Sequence, residues 1–189
     1  MAIEKEIKIL IIIPAKLDSK RLSRKNLREI NNKSLLEYSI DYAKASKYKK
    51  HIIVSSESNE VKDICDIEKV DFHQRDKSLC GDAEVVDVYF NIMDSINEKY
   101  DLVIALQPDH PDREHTLDFC IDYMVSNNYD DLITIESNYK RSGSVRIFKY
   151  EHLMNKNVSK RIGCLKDTAT DIHYEEDLIN ATKKINDGK

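Results

Sequence analysis

The chain has 189 residues, a formal charge of −4, and 34% charged against 41% hydrophobic residues. That length suits one domain with a full core, four glycines and three prolines argue against disorder or a fibrous repeat, and the acidic balance argues against a general nucleic-acid binder, which carries a basic domain. No stretch is long and apolar enough to span a bilayer, and MAIEKEIK lacks a signal-peptide pattern because acids interrupt it, so the cytoplasm is the expected location.

The first element is the apolar run Ile9 to Ile13, which fits a strand buried on both faces. Pro14 has no N–H to donate and is expected to stop its ladder. A polar loop follows. Between Lys16 and Arg28 stand six cations (Lys16, Lys20, Arg21, Arg24, Lys25, Arg28) and a single acid, Asp18. Ser34 to Ser46 has helical spacing, with Ser34 as N-cap and Glu37 completing a capping box. The pattern then predicts a strand at His51–Val54, a helix at Ser58–Glu68, a strand at Val70–His73, a loop from Arg75 to Asp82 and a helix over Ala83–Ile96. Leu102 to Leu106 is a second apolar strand, and it runs into QPDHPDR (Gln107 to Arg113), which two prolines keep non-helical. A helix is expected over Glu114–Asn127, and strands at Leu132–Ile135 and Ser144–Phe148, the latter after a turn at Ser142-Gly143. Ile162–Leu165 is apolar but short; Glu175–Ile185 reads as a closing helix, with the last residues from Asn186 frayed.

Alternating strands and helices argue for a mostly parallel sheet covered on both faces. Right-handed crossovers then bring the loops after Ile13 and Leu106 to one edge, where a topological switch point is the default ligand crevice. The cationic loop has neither GxGxxG nor GxxxxGK[ST], so any phosphate there must be held by cations and the Ser19 hydroxyl. A solvated basic loop is the alternative, and its position directly after a buried strand favours function. Cys65, Cys80, Cys120 and Cys164 are widely spaced, which predicts reduced thiols and no zinc site. His110 and His115 are expected to be solvated loop residues. The tyrosines do not make a basic-aromatic nucleic-acid groove.

PAKLDSKRLSRKN followed by INNKSLLEYSI resembles the opening of the cytidylyltransferases that activate acidic sugars, the CMP-N-acylneuraminate synthetases and the related CMP-Kdo synthetases. That family reads roughly PARxxSKRLPxKN and then GKPLIxxTI. HIIVSSESNEV, HQRDKSLCGD, IALQPDHPDR and ATDIHYEEDL resemble, in the same order, the family's VVVSTDSxEI, xRPxxLAxD, LLQPTSPLR and SIDIDTxxDL. The resemblance implies a three-layer α/β, Rossmann-like nucleotidyltransferase fold with a mostly parallel sheet. It implies transfer of CMP from CTP to an acidic sugar, with release of pyrophosphate, as in polysaccharide biosynthesis.

By match to the motifs, Lys16, Lys20 and Lys25 would be the catalytic cations. Ser19, Arg21, Asn26 and Arg75 would bind the nucleotide, and Gln107 would face the acceptor. Asp109, Asp171 and His173 would lie at the metal, which the resemblance implies to be Mg²⁺. The partners implied are CTP and a small anionic acceptor, and a homodimer stays open.

Several positions depart from the family. Lys16 stands for an arginine and loses its bidentate fork. Ala83, Glu84, Val85 and Val86 replace a small hydroxyl cluster. His173 replaces a metal-binding acid, although magnesium prefers oxygen. Asp109 restores a carboxylate found in the Kdo branch; the alternative is that it caps a helix beginning near Arg113. Only Glu136 to Arg141 stands where the acylneuraminate enzymes carry a long dimerisation insertion, so residues 1–189 are expected to form a single domain without it. Two other readings stay open: a nucleotide-binding relative without turnover, and a cytidylyltransferase for a smaller non-sugar acceptor such as a phosphonate.

Overall fold

A computed structural model describes residues 7–19, 21–81 and 83–188. In chain order its elements are β1 (Ile9–Pro14), a 3-10 turn (Lys25–Leu27), β2 (Glu29–Ile30), β3 (Lys33–Ser34), α1 (Leu35–Lys44), β4 (Lys50–Ser56), α2 (Asn59–Glu68) and β5 (Asp71–Gln74). A second 3-10 turn (Lys77–Leu79) precedes α3 (Val85–Ser95), β6 (Leu102–Ala105), α4 (Leu117–Ser126), β7 (Asp131–Ile135), β8 (Arg141–Lys149), α5 (Tyr150–Met154), β9 (Ile162–Lys166) and α6 (Glu175–Asp187).

Seven strands form one sheet in the order β5-β4-β1-β6-β8-β7-β9. The pairs β1/β4, β1/β6, β4/β5 and β7/β9 are parallel, and only β8 runs against its neighbours. The sheet is therefore mostly parallel, as expected. β1 lies in the sheet's interior, between β4 and β6, because its apolar run has two faces to bury. Ile9, Ile11 and Ile13 pack under α1, α2 and α4 through residues such as Leu36, Ile40, Val61 and Ile121. Leu10 and Ile12 point the other way, onto Val88, Ile92 and Met93 of α3 and Leu153 of α5. Burying each such side chain contributes roughly 1.5–3 kcal/mol, so this strand alone anchors both helical layers. Ser34 caps α1 as the sequence predicts: its hydroxyl accepts from Glu37 N at 3.2 Å, while Glu37 Oε2 accepts from Ser34 N at 2.8 Å.

A third cluster lies beyond the two layers. Leu178, Ala181 and Ile185 of α6 pack with Ile172 against Leu22, Ile30 and Leu35. It clamps the C-terminal helix onto the cationic loop and the small β2–β3 hairpin.

Some expectations need correction. Pro14 sits in register with Ser55, and Ala15 N donates to the Ser55 carbonyl at 2.9 Å, so the ladder ends one residue later than expected. Ser142 and Gly143 lie inside β8; the reversal is at Glu136–Lys140, where Glu136 N donates to Lys140 O at 2.8 Å and Tyr139 has φ 67°. α4 begins at Leu117 and is capped by the Thr116 hydroxyl, which accepts from Phe119 N at 3.2 Å, so Asp109 caps no helix there. α6 continues to Asp187, past the point where fraying was expected, and Asn186 Oδ1 accepts from Asn31 Nδ2 at 2.8 Å. The hairpin and α5 were not foreseen. No helix among the described residues is long and apolar enough to cross a membrane.

Candidate active site

Strands β4 and β5 lie on one side of β1, and β6 on the other. The chain reverses its direction of winding between β1 and β6, and loops that leave the carboxyl ends there diverge and leave a crevice. A cavity of about 360 Å³ occupies that place, lined among others by Lys16, Ser19, Lys25, Arg75, Gln107 and Asp109. Its volume is within the range of small-molecule sites.

The loop after β1 is held from beneath. Leu17 N donates to Glu57 Oε1 at 2.8 Å, and Asn26 Nδ2 donates to Lys16 O at 2.8 Å. Leu22 is buried in the α6 cluster. Arg24 takes the left-handed conformation, φ 54°, and pairs with Glu60, while Arg28 pairs with Glu175 at 2.6 Å. Those two cations are spent on the scaffold. Lys16, Arg21 and Lys25 line the cavity, with Lys16 Nζ donating to Gly81 O at 2.6 Å. Lys20 lies outside the described residues. Arg75 is buried; its Nη2 donates to Ser55 O at 2.7 Å, and burial pulls its pKa down from the usual guanidinium value. The altered residues Ala83 and Val85, with Leu79 and Val88, form an apolar wall.

The opposite wall is the loop after β6. Arg113, which sequence reasoning did not single out, holds it together: Nη2 donates to Gln107 O at 2.6 Å, Nε to Ser144 O at 3.0 Å and Nη1 to Ser39 Oγ at 3.1 Å. The available signal was its match to the final arginine of the family's LLQPTSPLR. Gln107 lies against Gly143, where an added Cβ would come within 2.5 Å of the Gln107 side chain.

The segment after β9 is stapled to this loop. Ile172 N donates to Asp109 O at 3.0 Å, and Thr170 N donates to Asp112 Oδ1 at 2.8 Å. These bonds bring His173 to the cavity's edge and Asp171 beside Asp109. Asp109, His110 and Asp171 form a cluster whose potential ligand atoms all lie within 4.8 Å of one another. His173 Nε2 is 3.0 Å from Asp171 Oδ2, so it adjoins that cluster through Asp171. His110 is not solvated, as a loop histidine was expected to be, but 1% exposed. Asp109 pairs with Lys25 through one oxygen and accepts from His110 Nδ1 at 2.9 Å through the other. Burial by itself pushes the Asp109 carboxyl up, but the hydrogen bond from His110, and then Lys25, outweigh it and hold the group well below the usual carboxylate range. His110 Nε2, Asp171 Oδ1 and His173 Nδ1 are buried without a hydrogen-bond partner. Orphaned buried donors and acceptors are costly, and this mixed set of nitrogen and oxygen atoms fits a cation.

Among the described residues, Lys16, Ser19, Arg21, Lys25, Asn26, Arg75, Gln107, Asp109 and His173 thus line the cavity, Asp171 adjoins it through the cluster with Asp109 and His110, and Arg113 braces its wall through Gln107 O. Cys65 and Cys120 are buried free thiols, Cys164 is exposed and free, and Cys80 is free and half-buried.

A family model described as cytidylyltransferase matches residues 10–185. The chain is 29% identical to the N-acylneuraminate cytidylyltransferase of Escherichia coli O18:K1:H7 over 141 residues, which are 74% of this chain and 34% of that protein. It is 36% identical to the pseudaminic acid cytidylyltransferase of Campylobacter jejuni subsp. jejuni serotype O:2 over 110 residues, 55% of this chain and 47% of that one. The chain therefore spans less than half the length of these curated relatives. Among solved structures it matches CMP:2-keto-3-deoxy-manno-octonic acid synthetase complexed with CTP, with a TM-score of 0.76 and 13% identity over 96% of this chain and 100% of that one. At that identity the likeness is one of fold.

Proposed function

Because this chain belongs to the cytidylyltransferase family, we propose that it transfers CMP from CTP to an acidic sugar and releases pyrophosphate. The observation that carries this reading is the cavity at the sheet's switch point, into which the cationic loop, Arg75, Gln107 and Asp109 all open. In such a reaction a hydroxyl oxygen of the acceptor forms a bond to the α-phosphorus of CTP, and the bond from that phosphorus to the bridging oxygen of pyrophosphate breaks. The hydroxyl proton leaves to solvent or to a nearby base. Negative charge builds on the leaving group, so catalysis depends on positioning and on fixed positive charge.

Lys16, Lys20 and Lys25, from the loop after β1, stabilise that charge. Ser19 and Arg21 hold phosphate oxygens, Asn26 and Arg75 the nucleoside, and Gln107 orients the acceptor. Asn26 also braces the loop through Lys16 O. Asp109, His110 and Asp171, with His173 beside them, are the residues that would hold a divalent ion, for which the family resemblance implies Mg²⁺. An ion held there would supply positive charge that offsets the charge of a bound triphosphate. The tight Glu136–Lys140 turn between β7 and β8, with no inserted arm, supports a smaller acceptor pocket than a partner-completed one and a single compact domain.

Pyrophosphate release from CTP is the test, run with a panel of acidic sugars that includes acylneuraminate, Kdo-like and pseudaminic acids, in both Mg²⁺ and Mn²⁺. Release that needs CTP and one such acid is expected. No release with any acceptor and either ion would sink the reading.

A further inference from the structure

Several atoms at this site are left without partners. Both carboxylate oxygens of Asp109 are engaged, one by Lys25 and the other by His110 Nδ1 at 2.9 Å. His110 Nε2 and Asp171 Oδ1 are buried, face each other at 4.0 Å and have no hydrogen-bond partner. That separation is too long for a hydrogen bond, yet two ligands of one ion with bonds of about 2.1 Å stand that far apart when they lie nearly opposite each other across it. A carboxylate accepting from the far nitrogen of an imidazole is the usual arrangement behind a metal-bound histidine, fixing its tautomer and ring plane. Asp109 stands in that position, and His173 Nε2, 3.0 Å from Asp171 Oδ2, orients the other ligand. An imidazole nitrogen suits first-row transition ions, whereas Mg²⁺ takes oxygen and keeps its waters.

We propose that this seat binds a first-row transition ion such as Mn²⁺ or Co²⁺ in preference to Mg²⁺, through His110 Nε2 and Asp171 Oδ1, with Asp109 as the positioning carboxylate. The assignment deepens the cytidylyltransferase reading by naming the metal class of that site, and it is tested without nucleotide so that the two can fail separately.

The full chain, free of nucleotide, is titrated with Mn²⁺, Co²⁺ and Mg²⁺ by calorimetry, and the Mn²⁺ form is examined by pulsed EPR for coupling to an imidazole nitrogen. Mn²⁺ binding about tenfold or more tighter than Mg²⁺, with nitrogen coupling, is the expected result. His110→Asn should abolish the coupling, His173→Asn should keep it, and Asp109→Asn should cost about 10–100-fold in Mn²⁺ affinity through the loosened imidazole. If His110→Asn does not fold, the coupling in the parent chain and its survival in His173→Asn decide the matter. Equal affinities for Mn²⁺ and Mg²⁺, a Mn²⁺ spectrum without nitrogen coupling, or coupling lost with His173 each overturn the assignment. A chain that shows the coupling yet releases no pyrophosphate retains this metal seat and loses the transfer reading.

Discussion

Lys25 and Asp109 bear two burdens at once. Their side chains are 14% and 9% exposed, and each is the other's counter-ion. Removing one partner of so enclosed a pair leaves a charge without compensation and typically costs ~3–5 kcal/mol. Lys25→Met should therefore lower the unfolding free energy by about 3 kcal/mol, measured by denaturant titration, and should also depress kcat/KM for CTP. Lys25→Met combined with Asp109→Asn removes both charges and should regain most of the stability while turnover stays low. If the double variant recovered turnover as well, neither Lys25 nor Asp109 would act in the chemistry, and the pair would be structural only. The importance of Lys25 was readable from the cationic loop, and that of Asp109 from the carboxylate in QPDHP. Their pairing was not, since 84 residues separate them and only the fold brings them together. The burial of His110 was hidden for a similar reason. Nothing local to a proline-flanked loop says whether it turns inward, and the bonds from Arg113 to Gln107 O and from Ile172 to Asp109 O are what turn this one.

Elements whose determinants are local were the most legible. The capping box of α1 needs only Ser34 and Glu37, and β1 declares itself by five consecutive apolar residues that both helical layers use. The β2–β3 hairpin was missed although it had a signal. Asn31 and Asn32 both take positive φ, 52° and 60°, the conformation that a two-residue hairpin turn requires and that asparagine tolerates. Gly143 was misread as a turn residue. It lies in β8 because Gln107, leaving β6 on the neighbouring strand, needs the space a Cβ would fill, and Gln107 N donates to its carbonyl at 3.3 Å. The atoms such a Cβ would strike are the far end of the Gln107 side chain, which can swing away. Gly143→Ala should consequently fold with a loss of about 1 kcal/mol or less and yet displace the Gln107 amide. A raised KM for the acceptor with KM for CTP nearly unchanged is the expected kinetic result. A KM for CTP that rises equally would place Gln107 on the nucleotide instead.

At the scale of the whole molecule, the cavity draws on the segments 14–26, 75–88, 107–109 and residue 173, and none of these contains the site alone. A ligand that touches all of them binds the folded chain and not the unfolded one, so it must raise the melting temperature. At a hundredfold excess over Kd the gain is about 2.7 kcal/mol, or roughly 5–10 °C for a chain of this length. The alternation of elements made the parallel sheet and its switch point foreseeable, whereas the clamp of α6 on the cationic loop was not, because Leu22, Ile30 and Leu178 declare themselves only as generic apolar residues. That clamp matters to the charge argument. The chain carries −4 overall, so a polyanion would be repelled unless local cations were held at the cavity. Uncharged cytidine lacks the groups those cations address. CTP should stabilise the chain well beyond cytidine at equal concentration, and added NaCl should erode the CTP effect and leave the cytidine effect nearly unchanged, because screening shortens from about 8 Å at physiological salt to about 3 Å at 1 M. Equal shifts for the two ligands at low salt would mean that the loop after β1 does not engage the phosphates, and would remove the charge-stabilising role assigned to Lys16 and Lys25.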